Sequence, residues 1–317
     1  MSPASKSSFP REEQKRLEER KDRLWLRARL IQEIRRFFIE RQYLEVETPQ
    51  LLQTPPPEVH IELIRAGDDY LQPSPELCMK RLQAAGYTRI FQICKCFRDG
   101  ERGRLHLPEF TLLEWYRAGI DYEILMTECE QLIRQIAQRL TGGERIRTQE
   151  REIDLSDPWD RISVRECFEC YAALDLETAV RKGRFDEVMV REIEPYLGTT
   201  KPTILYDYPA SLASLARLKP EDPEFAERFE IYIAGIEIAN GFSELTDPLE
   251  QRRRFEKDQH ERRALKKQTY PVAEKFLKSL EHMPEAAGIA LGVDRLVMIF
   301  ADRSEIDDVV CFTPEEL

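Results

Sequence analysis

Residues 97–116, FRDGERGRLHLPEFTLLEWY, carry the densest set of chemistry-bearing side chains in the sequence. Arg98, Arg102, Arg104 and His106 crowd positive charge into one short stretch. Phe110, Glu114 and Tyr116 follow behind a Pro-Glu-Phe turn. Neither GxxxxGK[ST] nor GxGxxG occurs, so the common glycine-rich phosphate cradles are absent. Phosphate would instead be held by arginine, whose planar fork matches two phosphate oxygens at once. A solvated, charged hairpin loop is the other reading of this segment.

Two further stretches carry potential chemistry. In RFEIYIAGIEIANGFSEL (228–245), Glu230 and Glu237 stand seven residues apart with Gly235 between them, and Asn240 and Glu244 follow. A β-bulge would aim both carboxylates at one site, where they suit Mg²⁺ held against phosphates. Without a bulge they read as the wet face of a strand. In GIALGVDRL (288–296), Gly288 and Gly292 permit close backbone approach and Arg295 falls at a helix start. An ordinary salt-bridged arginine fits there as well.

These residues need a scaffold, and the hydrophobic periodicity supplies one. A helix is expected over 11–42, where Leu17, Leu24, Ile31 and Phe38 recur every seven residues. YLEVETP (43–49) alternates like a strand, and the three prolines of LLQTPPPEVH (51–60) forbid regular structure. SPELCMKRLQAAG (74–86) reads as a helix with Ser74 as N-cap, Pro75 in the first turn and Gly86 at the end. Strands 89–97 and 109–116 flank the eleven-residue basic loop, and a long loop of this kind is usually functional. Helix 121–140, strands at 201–209 and 228–242, charged helices within 247–282 and a glycine-led strand-to-helix unit at 288–300 complete the pattern. Segment 144–200 is indecisive. The class is α+β around a mostly antiparallel sheet.

Composition narrows the function classes. The 317 residues are 42% hydrophobic and 34% charged, with a net charge of −11, which disfavours broad nucleic-acid coating. No apolar run approaches the ~20 residues of a membrane span, and the N-terminus has no secretory pattern. Seven scattered cysteines indicate reduced thiols and a cytoplasmic location. The Cys167-x-x-Cys170 pair lacks partners at zinc spacing and reads as packing. The run QRRRFEKDQHERRALKKQ (251–268) is either a solvated helix or a dock for an acidic partner.

Taken in order, the three stretches resemble the signature motifs of class II aminoacyl-tRNA synthetases, lysyl branch. EVETP resembles the first motif, FRD…HLPEFTLLEWY the second and GIALGVDRL the third. SPELCMKRL and GIEIANGFSEL resemble that branch's amino-acid and metal segments. The resemblance spans about 20–310. With only a short helical or flexible extension (1–19) before a catalytic domain over 20–317, and no anticodon-binding domain, the chain is most similar to the truncated paralogues that ligate (R)-β-lysine to elongation factor P. YPASLASLA (208–216) is similar to them as well.

This resemblance implies ATP-dependent formation of a β-lysyl (or lysyl) adenylate and transfer to a lysine ε-amine of elongation factor P. It also implies a two-fold homodimer, with no role for tRNA or membrane. Arg98 would hold the α-phosphate and Arg295 the γ-phosphate, the pair forming the catalytic set. Phe110 would stack on adenine with Arg295 across the ring. Asp99, Gly100, Glu101, His106 and Leu107 would complete the nucleotide loop, with Ile238 and Gly292 beneath it. Glu230 and Glu237 would hold Mg²⁺. Glu76, Glu114 and Glu244 would pair the two ammonium groups of the diamine, with Ser74, Pro75, Tyr116 and Asn240 around them. Ala239 stands where lysyl-tRNA synthetases have glycine, and one methyl discriminates by about 1–3 kcal/mol.

The chain departs from the family at Asp99-Gly100, for Asn-Glu, and at Leu107, for Asn. Glu101 would replace the missing glutamate. Two other readings remain open: a small lysyl-tRNA synthetase-like enzyme acting on α-lysine or tRNA, and a non-catalytic amino-acid-binding paralogue.

Overall fold

The computed structural model describes residues 11–317. The loose segment expected at 1–9 lies outside the described residues. Helix α1 (Arg11–Glu40) crosses residue 20 without a break, and Arg16 and Arg20 both pair with Glu316 near the other end of the chain. Its core-facing side is Leu30, Ile34, Phe37 and Phe38. The periodic Leu17 and Leu24 do not join them but line a shallow outer groove with Trp25.

Eight strands form the central sheet. They are β1 (Leu44–Glu45), β2 (Arg89–Phe97), β3 (Glu109–Ala118), β4 (Asp160–Ser163), β5 (Thr203–Pro209), β6 (Phe225–Ile233), β7 (Ile236–Ser243) and β8 (Ala286–Gly292). Their order is β1-β2-β3-β8-β7-β6-β5-β4. All neighbours are antiparallel except the two edge pairs, β1 with β2 and β4 with β5. The expected α+β class with a mostly antiparallel sheet is therefore the fold. The strand expected over 43–49 shrinks to Leu44–Glu45, because Thr48 leaves the ladder and its N–H donates to the Gln92 side chain instead. Leu51–Leu52 pairs into a small three-stranded sheet with Asp69–Leu71 and Arg65–Ala66.

Helix α2 (Glu76–Ala84) begins one residue later than the Ser74 cap implied, with Pro75 as the boundary residue. Ser74 Oγ still accepts the Glu76 N–H at 3.0 Å. Gly86 follows with φ of 97°, a left-handed turn that glycine adopts without strain. Helix α3 (Tyr122–Thr141) packs across the core face of the sheet. It is capped by Asp121 and ends at Gly142 with φ of 79°. Helices α4 (Pro248–Ala264) and α5 (Val293–Phe300) complete the frame. The indecisive segment after residue 144 supplies edge strand β4 and short helices that build a second apolar cluster around Val164, Phe168, Val188 and Ile193.

Alternation in the strands separates two faces. Leu113, Trp115, Ile289 and Leu291 join the main core with α1 and α3. Phe110, Leu112, Glu114 and Tyr116 line a cavity on the other face. One buried contact locks helix, strand and third motif together. Asp294 accepts from Thr111 N at 2.7 Å and from Arg27 Nη1 at 2.5 Å, while Arg27 Nη2 donates to Thr111 Oγ1 at 2.7 Å.

Candidate active site

The cavity encloses about 370 Å³, within the roughly 300–1,000 Å³ range of small-molecule sites. β3 and β8 form its floor. Their register sets Glu114 opposite Ala290 and Tyr116 opposite Gly288, and β7 adds Asn240 beside Ala290. The β6–β7 ladder slips by one residue near Ile238, so that Asn240 faces Glu230 and Glu237 faces Tyr232. The sequence predicts a bulge that aims Glu230 and Glu237 at one site; the bulge present, at Ile238, instead turns Glu237 and Asn240 to the cavity side.

The inner end is a lattice of buried charge. Glu114 and Glu244 are almost fully buried and Lys80 of α2 is 1% exposed. Glu114 accepts from Ser74 Oγ at 2.6 Å and from the Tyr116 hydroxyl at 2.8 Å. Lys80 Nζ lies 2.5 Å from both Glu76 Oε1 and Glu244 Oε2. Burial, and then the neighbouring Glu76 charge, push the Glu114 carboxyl up to about 8. Burial also lifts Glu244 to about 8 against the opposing pull of Lys80. Burial alone would lower the pKa of Lys80, but the Glu244 and Glu76 carboxylates outweigh it and raise it. Glu244 Oε1 is buried without a hydrogen-bond partner among the described residues, but neither Glu244 nor Lys80 lines the cavity; both lie behind Glu76, Glu114 and Tyr116, which do.

Sequence reading missed Lys80. Its signal was present, since Lys80 follows Glu76 by four residues and shares its helix face. Gly288 has a different purpose from the one its spacing implied. A Cβ there would lie 2.3 Å from the Tyr116 ring and 2.6 Å from Glu244 Oε1, so the glycine makes room for protein rather than ligand.

The outer end is cationic. Arg98 reaches the cavity with its Nε buried and unpartnered among the described residues. Its nearest carboxylate is Glu101 at 3.7 Å. A guanidinium so weakly engaged fits a phosphate. Arg98 lies over the Phe110 ring, 5.1 Å from its centroid. Arg295 donates to the Glu237 carbonyl at 2.7 Å and to its carboxylate at 3.1 Å, and Nη2 lies 2.6 Å from His106 Nε2. Desolvation and the Arg295 cation lower the pKa of His106, so the imidazole accepts this contact.

Gly100 adopts φ of 73° at an exposed turn, a left-handed position that carries the chain round to Glu101, and Glu101 lines the cavity. Asp99 and Gly100 do not line it. Asp99 N instead anchors the loop to the Glu62 carbonyl at 2.8 Å. Leu107 is buried in the main core and borders the cavity. Arg102, outside the cavity, pairs with Glu315 and Asp307.

The remaining expected residues divide. Ile238, Gly292 and Asn240 line the cavity; Pro75 does not. Ala239 borders it, but its cross-strand partners are Ile231 and Leu291 and it packs with them in the core. The methyl in register with Glu114 and Asn240 is that of Ala290. Glu237 faces the cavity, whereas Glu230 sits behind it, accepting from Arg228 Nη2 and the Tyr232 hydroxyl at 2.7 Å each. Burial, and then Glu237, raise the Glu230 pKa, as two neighbouring carboxylates require. Among the described residues no group of three or more acidic, His or Cys side chains is assembled for a metal. Glu230 is thus no free ligand, contrary to the expectation, and Glu237 is the carboxylate that faces the cavity; one carboxylate suffices for Mg²⁺ when phosphates and water supply the other ligands.

The basic run 251–268 proves largely neutralised internally. Arg252 pairs with Glu274, and Arg253 and Arg254 with Glu250. Arg254 also holds the Ser214 and Ala216 carbonyls at 2.8 Å each. Cys167 is buried and Cys170 exposed, both free.

Comparison with known proteins agrees with this geometry. Residues 11–316 match the family of class II tRNA synthetases (D, K and N). A protein named elongation factor P–(R)-β-lysine ligase from Proteus mirabilis is 41% identical over 307 residues, covering 90% of this chain and 93% of its own. Proteins of the same name from Erwinia tasmaniensis and Pectobacterium carotovorum are each 42% identical, over 90% and 91% of this chain and 93% and 94% of theirs.

Proposed function

Since the chain belongs to the class II synthetase family of the D, K and N type, and within it to the elongation factor P–(R)-β-lysine ligases, we propose that it activates (R)-β-lysine with ATP and transfers it to a lysine amine of elongation factor P. The observation that carries this reading is the inner lattice. Glu76, Glu114 and Glu244 bring three carboxylates and Lys80 one cation. Fully ionised, the set has two surplus negative charges, and a diamino acid brings two ammonium groups. Each buried charge then has a counter-charge, as burial in low dielectric demands. The high pKa values of Glu114 and Glu244 mark the cost of ionising them without such a partner.

Activation needs little covalent chemistry from the protein. The substrate carboxylate attacks the α-phosphorus of ATP and pyrophosphate leaves, so positioning and charge stabilisation dominate. Arg98 holds the α-phosphate and stabilises its growing charge. Arg295, braced by Glu237 and His106, is directed to the distal phosphates. Phe110 offers its ring to the adenine. Glu237, backed by Glu230, would hold Mg²⁺, which neutralises phosphate charge. The acceptor amine then displaces AMP.

Two further elements belong to the proposal. Trp25, Ile39, Leu44 and Leu51 are exposed apolar side chains on α1 and the strands after it, which supports a two-fold dimer through this surface. A translation-factor substrate supports a cytoplasmic location, and among the described residues no helix is long and apolar enough to cross a membrane. ATP–pyrophosphate exchange driven by (R)-β-lysine in preference to α-lysine tests the first half-reaction. Exchange with neither amino acid would refute the reading.

A further inference from the structure

The proline-rich segment at 55–62, which its sequence marks only as irregular, forms one lip of the cavity through Glu58 and Ile61. It has almost no ladder of its own, and its main-chain carbonyls converge on one wholly buried side chain, Arg262 of α4. Arg262 Nη1 donates to the carbonyls of Glu58 at 2.6 Å, Ile61 at 2.9 Å and Val59 at 3.3 Å. Its Nη2 binds the Glu62 carboxylate at 2.7 Å and the Tyr270 hydroxyl at 3.0 Å. Lys267 adds a bond to the Val59 carbonyl at 2.9 Å. Pro55, Pro56 and Pro57 are buried immediately upstream, and their fixed φ removes backbone freedom. Glu58 therefore stands on a rigid mount.

What it faces is the cavity. None of the hydrogen bonds or ion pairs among the described residues reaches the Glu58 carboxylate. The charged groups around it are Glu76 of α2, Arg98 of the basic loop, Asp258 of α4 and Arg228 of β6. Desolvation, and then the Glu76 charge, push its carboxyl up to about 7. Glu76, Glu114 and Glu244, less Lys80, already match both charges of the diamine, so Glu58 is surplus to that substrate. On the other side Arg98 is directed at the α-phosphate, which is the leaving side of the adenylate. The proposed reaction has one more cation to accommodate, the ammonium of the acceptor lysine. It must shed a proton before it can attack.

We infer that Glu58 receives the acceptor amine at the cavity lip and is the base of the transfer step; this rests on the ligase reading above. The Glu58 carboxylate takes one proton from the acceptor ammonium. The freed nitrogen lone pair forms the C–N bond to the adenylate carbonyl carbon. The carbonyl C–O bond to phosphate breaks, and its electron pair leaves on AMP. The second proton shed by nitrogen as the amide forms passes to solvent. No oxidant, reductant or further reactant enters.

The test separates the two half-reactions on the full chain. Single-turnover transfer from β-lysyl-adenylate to elongation factor P is followed against pH beside ATP–pyrophosphate exchange. Wild type transfers at a rate that levels off above about pH 7, because Glu58 is then ionised while the acceptor stays an ammonium to about pH 10.4. In Glu58→Gln, transfer at pH 7 falls about 100-fold more than exchange does, the scale of one general base. The deficit shrinks about tenfold per pH unit as the acceptor deprotonates unaided. Glu58→Asp keeps the levelling at a lower rate. Transfer by Glu58→Gln at the wild-type rate, a deficit constant across pH, or an equal loss of exchange overturns the assignment. A wild-type chain that forms no adenylate, or transfers nothing to elongation factor P, instead refutes the ligase reading and the assignment with it.

Discussion

The two ends of the cavity solve opposite problems. The inner end is built from helix and strand residues and is almost solvent-free, with Lys80 1% exposed and already paired to the Glu76 and Glu244 carboxylates. The outer end sets two partly exposed arginines at the cavity, Arg295 held firmly by Glu237 and His106 and Arg98 held loosely, with Glu101 at 3.7 Å. In the proposed reaction the difference separates recognition of the diamine from stabilisation of phosphate charge. A pre-ordered lattice recognises a fixed charge pattern, because a wrong ligand leaves a buried charge unpaired. A weakly engaged guanidinium can instead tighten on phosphate charge as it develops.

Substitutions can break this division. Glu244→Gln unbalances the inner lattice and should cost about 3–5 kcal/mol of diamine binding, the scale of a broken buried pair. It should appear as a KM for β-lysine raised by about two to four orders of magnitude in exchange assays. Arg98→Ala should lower kcat of exchange by about 100- to 1,000-fold with little change in the apparent affinity for β-lysine. If both variants changed the same constant, the two ends would be one functional unit.

Ala290→Gly should shift the preference between β-lysine and α-lysine, by up to the 10–200-fold that one methyl can command. Ala239→Gly should shift it less, since Ala239 packs with Ile231 and Leu291 on the core face. Isomer competition in the exchange assay distinguishes them.

A pH series sharpens the contrast further. Glu114 and Glu244 stand near 8 against a reference of 4.5, so the folded chain binds more protons than the unfolded one between these values. Its stability without substrate should fall as pH rises from about 5 to 8, the direction set by proton linkage. β-Lysine pairs the ionised carboxylates and offsets the loss. The thermal shift it produces should thus be larger at pH 8 than at pH 6, as read by scanning calorimetry. The smallest effect is expected away from both ends. Reversing Arg252 and Arg253 should leave the modification rate and its salt dependence nearly unchanged, because both are already paired on the surface.

Most of this frame was legible in the sequence. Strand 89–97, the loop after it and the hairpin turn at Gly235 between Glu230 and Glu237 follow from alternation and glycine placement, which are local signals. What escaped was set by register and long-range packing. Ala239 and Ala290 are equivalent as letters, and only the pairing of β7 with β8 assigns one to the core and the other to the cavity. Glu58 was hidden in a segment whose prolines deny it periodicity, and its mount comes from Arg262, 204 residues away. Lys80 was within reach of simple helix spacing. Leu17 and Leu24 misled for a related reason, since α1 is longer than the core it covers.

The central claim, activation of a diamino acid for an amine acceptor, is tested most directly by offering both acceptors at once. The protein is incubated with ATP, (R)-β-lysine, α-lysine, elongation factor P and tRNA, and the mass of each acceptor is then measured. Elongation factor P should gain a single β-lysyl group on a lysine side chain while tRNA remains uncharged. Lysyl-tRNA formed beside unchanged elongation factor P would contradict the account.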